Sequence, residues 1–269
     1  MDNPNQLACL SLCTGYGGIE LGLERVGVPL RPIAYVEREA FAAANLVAKI
    51  EAEQMAPAPV WTDVKTFPYS DFHGRVDILL AGYPCQPFSA AGQRKGEADE
   101  RHLWPFIARG IAACQPRLVF AENVEGHLSL GIEDVFNDLG QMGYEYTAGL
   151  FSAEEVGASH RRKRLFWLAY SGSARSATWF SEPQQWQKRQ PEVADNNCRR
   201  GWPAGPGQCQ HEWEEPRQTE SELGRTTDGT RCRPDATANR VDRLRLLGNG
   251  VVPQTAAKAW VTLWERLNN

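Results

Sequence analysis

The segment Val76-Asp77-Ile78-Leu79-Leu80-Ala81-Gly82-Tyr83-Pro84-Cys85-Gln86-Pro87-Phe88-Ser89 decides how the chain is read. Its first five residues form a short apolar run, the pattern of a buried strand. The proline, glycine and charged residues that follow cannot continue a strand. Cys85, flanked by Pro84 and Pro87, therefore falls where a strand ends and a stiff loop begins. In open α/β sheets, ligands bind outside the carboxyl ends of the strands. A thiol on a rigid backbone at that edge is placed to act as a nucleophile, although a free cysteine is more often a small buried hydrophobe.

The same strand-and-loop pattern recurs upstream. Gln6 to Leu12 reads as a strand, followed by Thr14-Gly15-Tyr16-Gly17-Gly18 and a helical pattern from Ile19. A glycine turn there lets backbone amides approach a ligand at a helix N-terminus, but tight turns without a ligand share it. Pro32 to Val36 is a second strand ending in Glu37, roughly twenty residues beyond the turn, where an acid meets ribose hydroxyls in nucleotide-binding folds. Alone, Glu37 reads equally as a solvated loop acid. Ala40 to Glu51 reads as a helix, and Val60-Trp61-Thr62 as a weaker strand ending at Asp63. Three strand ends thus carry a glycine loop, a Glu and an Asp, the layout of a nucleoside site.

Downstream, Leu103 to Cys114 reads as a helix and Arg117 to Ala121 as a strand delivering Glu122-Asn123-Val124 to the same edge as Cys85. A carboxyl that is partly buried near a thiol can hold its proton and donate it; a lone Glu-Asn is more commonly a turn or helix cap. Ile132 to Met142 reads as a helix and Tyr144 to Phe151 as a strand. The densest basic cluster, His160-Arg161-Arg162-Lys163-Arg164, runs into the strand Leu165 to Ala169. Alternation along extended chain puts Arg162 and Arg164 on one face, suited to a phosphate or a base carbonyl; a solvated basic loop is the plainer reading.

From Ser171 to about Arg240 the apolar periodicity vanishes, and Gly, Pro, Ser, Gln and Arg dominate, with recurring tryptophans. This reads as a small loop-rich insertion for reading nucleic acid, or as partial disorder in the free chain. Cys198, Cys209, His211 and Cys232 do not have the paired spacing of a zinc site. Val241 to Leu247 leads into Gly248-Asn249-Gly250-Val251-Val252-Pro253. In the closing helix, Gln254 to Leu267, Ala257, Trp260, Val261 and Trp264 share a face that packs back on the N-terminal half.

Composition sets outer bounds. The 269 residues, 42% hydrophobic with mean hydropathy -0.46, suffice for one sizeable core and carry no apolar run of membrane-spanning length. Met1-Asp2-Asn3-Pro4 lacks the basic flank of a secretory signal. Seven scattered cysteines point to a reducing cytoplasm. A net charge of -4 leaves nucleic-acid binding to a local basic face.

Taken in order, these motifs resemble the cytosine-C5 DNA methyltransferase family. The resemblance rests on Thr14-Gly15-Tyr16-Gly17-Gly18, on Pro84-Cys85-Gln86-Pro87-Phe88-Ser89, and on Glu122-Asn123-Val124. It extends to His160-Arg161-Arg162-Lys163-Arg164, with His where the family has Gln, and to Gly248-Asn249-Gly250-Val251-Val252-Pro253. It implies a Rossmann-like α/β domain with a mostly parallel sheet, built from 1–170 and 243–269, and a short irregular target-recognition domain over 171–242. The implied activity is methyl transfer from S-adenosyl-L-methionine to C5 of a flipped cytosine in double-stranded DNA, leaving S-adenosyl-L-homocysteine, with no metal.

The implied roles follow residue by residue. Cys85 would add to C6, Glu122 would contact N3 and the exocyclic amine, and Arg164 with Arg162 would hold O2 and phosphates. Gly15, Tyr16, Gly17 and Gly18 would face the cofactor's methionine part, Glu37 its ribose, and Asp63 with Val64 its adenine. Pro84, Asn249 and Val251 would close that pocket. Ser11-Leu12-Cys13 replaces the family's Asp-Leu-Phe, so the Phe that stacks on adenine is missing. The resemblance further implies a cytoplasmic monomer, bacterial or phage-encoded, in a restriction-modification, phage or mobile-element setting with a cognate endonuclease as a possible companion. A tRNA cytosine-C5 methyltransferase and a catalytically inactive DNA-binding relative are the alternative readings.

Overall fold

The computed structural model describes residues 6–84, 103–129, 131–172 and 240–268. Cys85 and nearly all of the 171–242 segment, with its four metal-ligand candidates, lie outside the described residues.

A seven-stranded sheet organises these residues, in the order β3-β2-β1-β4-β5-β7-β6. The strands are β1 (Leu7–Leu12), β2 (Leu30–Val36), β3 (Val60–Trp61), β4 (Ile78–Ala81), β5 (Leu118–Val124), β6 (Tyr144–Ser152) and β7 (Lys163–Ser171). From β3 to β5 all pairings are parallel, whereas β7 runs antiparallel to both β5 and β6. The helices are α1 (Gly18–Arg25), α2 (Ala40–Glu51), α3 (Trp104–Cys114), α4 (Ile132–Gln141), α5 (Arg240–Asn249) and α6 (Pro253–Asn268).

Strands covered on both faces read as continuous apolar runs, and β1 and β4 are buried at every position. Along β7, alternation sends Leu165, Trp167 and Ala169 to one face and Phe166, Leu168 and Tyr170 to the other. The first face packs under α3 and α4, where the Trp104 ring meets Trp167 edge-on at 6.0 Å. The second packs under α1 and α6, where Trp260 meets Phe120 edge-on at 5.3 Å. Ala257 and Trp260 are buried, and Val261 and Trp264 pack against that cluster, as the face of the closing helix predicts. Trp260 is wholly buried; Trp260→Ala is expected to cost about 3–5 kcal/mol, read as a lower urea midpoint for unfolding.

Three differences from the sequence reading bear on the site. Strand β5 runs through Glu122 and Asn123 to Val124, because β7 supplies partners there: Glu122 opposite Phe166, Asn123 opposite Leu165 and Val124 opposite Arg164. Arg162 stands before β7 with φ 29°, outside the extended segment, so strand alternation does not set its direction. Val241 to Leu247, read only as a lead-in, lie within helix α5 together with Gly248 and Asn249 of the following motif.

Candidate active site

The carboxyl ends of the parallel strands open into one cleft of about 840 Å³. Strand order reverses around β1, which lies between β2 and β4, and such a switch point leaves a crevice at the sheet edge. Each strand end delivers its own group: Gly15 after β1, Glu37 after β2, Asp63 and Val64 after β3, Pro84 after β4 and Glu122 on β5. Antiparallel β7 brings its first residues, including Arg164, to the same edge, and α5 supplies Asn249.

The acids at the ends of β2 and β3 accept from backbone amides. Glu37 accepts from Gly15 N through Oε2 at 2.7 Å and from Glu39 N through Oε1 at 2.8 Å. Asp63 Oδ1 accepts from Lys65 N at 2.8 Å. Buried Val64 uses its carbonyl as acceptor for the Tyr69 hydroxyl at 3.0 Å. Gly15 has φ 59°, and a Cβ there would meet nothing within 4 Å, so its backbone faces open cleft. Cys13 also lines the cleft in a left-handed backbone conformation at φ 53°. Burial first, then Glu37 and Asp63, push its thiol up to about 12, so it stays protonated at neutral pH.

Where β5 meets the cleft, Glu122 is 5% exposed and pairs with Arg164, Nε to Oε1 at 3.0 Å. Burial raises its carboxyl more than Arg164 and Arg162 lower it, leaving it at about 7. A buried acid that is half protonated at neutral pH can donate a proton to a ring nitrogen and still orient a guanidinium.

The remaining predicted residues stand behind the cleft wall. Arg162 donates through Nη2 to Gly248 O at 2.8 Å and to Gly250 O. The Tyr16 hydroxyl donates to Val251 O, and the Tyr16 carbonyl accepts from Lys49 Nζ at 2.6 Å. A Cβ on Gly18 would overlap the Val251 carbonyl, and one on Gly250 would run into the Tyr16 ring. The glycine turn and the 248–253 segment are therefore interlocked, which explains why both stretches need glycine. Gly17 packs beside Met55 rather than on the cleft.

Other cleft residues escaped the sequence reading. Leu103, Arg38 and Leu246 line the cleft, and Arg245 pairs with Glu39 at 3.2 Å. These come from loop and helix ends whose residue types carry no motif. Outside the cleft, Glu20 is buried on α1 with Ile19, Gly22 and Leu23. Among the described residues, no group of three or more His, Cys, Asp or Glu is placed to hold a metal. Nor is any described helix long and apolar enough to cross a membrane.

Comparison with known proteins agrees with this architecture. The chain is 31% identical over 192 residues to the type II methyltransferase M.NgoMIV of Neisseria gonorrhoeae, covering 68% of this chain and 58% of that protein. It is 32% identical over 172 residues to the type II methyltransferase M.AplI of Arthrospira platensis, covering 63% of this chain and 47% of the relative. The chain thus spans about half the length of the curated relatives it matches. The crystal structure of S. pombe Dnmt2 methyltransferase superposes with a TM-score of 0.52 at 22% identity, over 61% of this chain and 51% of that one, a likeness of fold. The family model described as C-5 cytosine-specific DNA methylase matches residues 7–222, and the chain belongs to that family.

Proposed function

We propose that this chain is a DNA cytosine-C5 methyltransferase that takes its methyl group from S-adenosyl-L-methionine. One observation carries the reading: the Glu122–Arg164 pair shares a cleft with Gly15, Glu37 and Asp63. That arrangement sets base-handling groups and nucleoside-binding groups in one cleft. The open backbone at Gly15 and the acids at the ends of β2 and β3 fit a nucleoside with a charged tail. When bound, the cofactor supplies an electrophilic methyl group at its sulfonium.

The chain's own residues then divide the work. Cys85, one residue beyond cleft-lining Pro84, attacks C6 of the cytosine as the thiolate, which moves electron density toward C5. Protonated Glu122 donates to N3 as negative charge develops on the ring, and Arg164 steadies Glu122 while facing the base oxygen. After methyl transfer, which leaves S-adenosylhomocysteine, water takes up the C5 proton, N3 returns its proton to Glu122, and expulsion of the Cys85 thiolate restores the aromatic ring. A base inside a duplex cannot reach this cleft, so the target is flipped out of the stack. Residues 171–242 read the sequence around it. The type II names of the relatives support a restriction-modification setting; a phage or mobile-element setting and a cytoplasmic monomer are part of the proposal and rest on the family resemblance alone.

Arg162 is a positioning residue in this account. Its contacts hold Gly248 and Gly250 against the cleft. Arg162→Ala is expected to weaken S-adenosylhomocysteine binding by about tenfold, the scale of a lost charge-assisted hydrogen bond, with a smaller effect on DNA affinity. Calorimetry and a DNA-binding isotherm check this, and a loss confined to DNA affinity would contradict it.

Transfer of labelled methyl from S-adenosylmethionine to DNA and, in parallel, to tRNA tests the proposal. Incorporation into DNA supports it. Incorporation into tRNA alone, or none into either nucleic acid with DNA binding intact, would overturn it.

A further inference from the structure

A buried carboxylate that none of the steps above uses lies behind the glycine turn. Glu20, in the first turn of α1, is 2% exposed. Its Oε1 accepts from the Ser11 hydroxyl, which also lies 2.9 Å from Thr14 Oγ1. Its Oε2 is buried without a hydrogen-bond partner. An ionisable oxygen left so is costly unless a ligand completes it.

Glu20 lines a side cavity of about 20 Å³, whose wall also includes Thr14, Gly15, Asn249 and Val251. Gly15 and Asn249 line the main cleft as well, so the two spaces share a wall at the glycine turn. The volume admits one water-sized group. Local charge favours a cation there. Glu24 on α1 adds a second negative charge, while Lys49 on α2 is committed to the Tyr16 carbonyl.

We propose that Glu20 receives the α-ammonium of the cofactor's methionyl end, as the residue that discriminates an amino-acid tail from an uncharged one. This rests on the S-adenosylmethionine reading above. The tail enters from the cleft past Gly15, and its ammonium gives Oε2 the donor it lacks. Serine at position 11 supplies a hydroxyl but no charge; the negative charge comes from the helix side.

The proton balance follows. Burial above all raises the Glu20 carboxyl to about 7, against the lowering by Ser11, its own backbone amide and Lys49. Cys9 on β1 and Tyr35 on β2 face it as neutral groups, and α6 presents Ala256 and Ala257 to this core. A bound ammonium favours the carboxylate, so binding releases a proton below pH 7 and tightens as pH rises through that value.

Calorimetry on the full chain, with S-adenosylhomocysteine and its analogue lacking the α-amino group, decides the matter. Wild-type protein is expected to bind the des-amino analogue about tenfold more weakly, the scale of a lost charged hydrogen bond. That ratio should widen from pH 6 to pH 8. Glu20→Gln should lose the ratio and its pH dependence, and keep the affinity for the des-amino analogue. Equal wild-type affinities for the two ligands, a ratio constant with pH, or equal weakening of both in Glu20→Gln would overturn the inference and leave the cavity to a water. If Glu20→Gln does not fold, the wild-type ratio and its pH dependence still decide. Failure of wild-type protein to bind S-adenosylhomocysteine at all would instead overturn the cofactor reading on which the inference rests.

Discussion

Cys85→Ser is expected to lower methyl transfer by about 10⁴-fold or more, the scale of removing a nucleophile from a catalytic unit, and to leave S-adenosylhomocysteine affinity nearly unchanged. The reason lies in the division of the cleft. The groups assigned to the cofactor, Gly15, Glu37, Asp63 and Asn249, come from the ends of β1, β2, β3 and α5, and Cys85 follows Pro84 on the loop after β4. Serine keeps the shape, but its hydroxyl is too weak a nucleophile at neutral pH to add to C6. Labelled methyl transfer and calorimetry on the same preparation read both halves of the expectation. Substantial residual methylation would remove Cys85 from the nucleophile's role.

The second large effect belongs to Glu122. Glu122→Gln keeps a hydrogen-bonding group of the same size but cannot deliver a proton, so turnover should fall by about 10²–10⁴-fold. The pH profile gives the more specific signature. Burial holds the carboxyl at about 7, so the protonated donor disappears as pH rises through neutrality. Wild-type turnover should lose rate on that limb, and the variant should not. An alkaline limb unchanged in Glu122→Gln would assign it to another group. The same raised value bears on folding. The native state keeps a proton that the unfolded chain gives up near its ordinary carboxylate value, so this contribution to stability is complete at low pH and is lost as pH climbs to about 7. Glu20, also at about 7, acts in the same direction.

The parallel half of the sheet was legible because its strands are short apolar runs punctuated by glycine, proline and acids. Leu7–Leu12 is followed by Cys13, whose backbone is left-handed, Leu30–Val36 by Glu37, and Ile78–Ala81 by Gly82 shortly before Pro84. The antiparallel partner was harder. Nothing local indicates that Glu122 and Asn123 remain in a strand; their extended conformation is fixed by pairing with Phe166 and Leu165, more than forty residues away by sequence number. The same long-range dependence hid the posture of Arg162. A basic side chain beside a strand reads as a face for phosphate, and only the fold reveals that the carbonyls of Gly248 and Gly250 come within its reach.

Within the site, residue types announced themselves where chemistry demands them: Gly15 of the glycine turn, Glu37, Asp63, Glu122 and Arg164 all reach one cleft. Supporting contacts carried no such mark. The interlock of Gly18 with Val251 and of Gly250 with Tyr16 depends on two chain segments over two hundred residues apart. Glu20 carried no such mark either: it lies one turn before the exposed Glu24 on α1, and only the packed fold shows that it is buried.

The central claim is cytosine-C5 methylation of DNA, and bisulfite sequencing of DNA from cells expressing the chain tests it most directly, beside a Cys85→Ala control. The account predicts protected cytosines in one short recurring context with wild-type protein and none with the control. DNA fully converted in both samples, or equal protection in both, would contradict it.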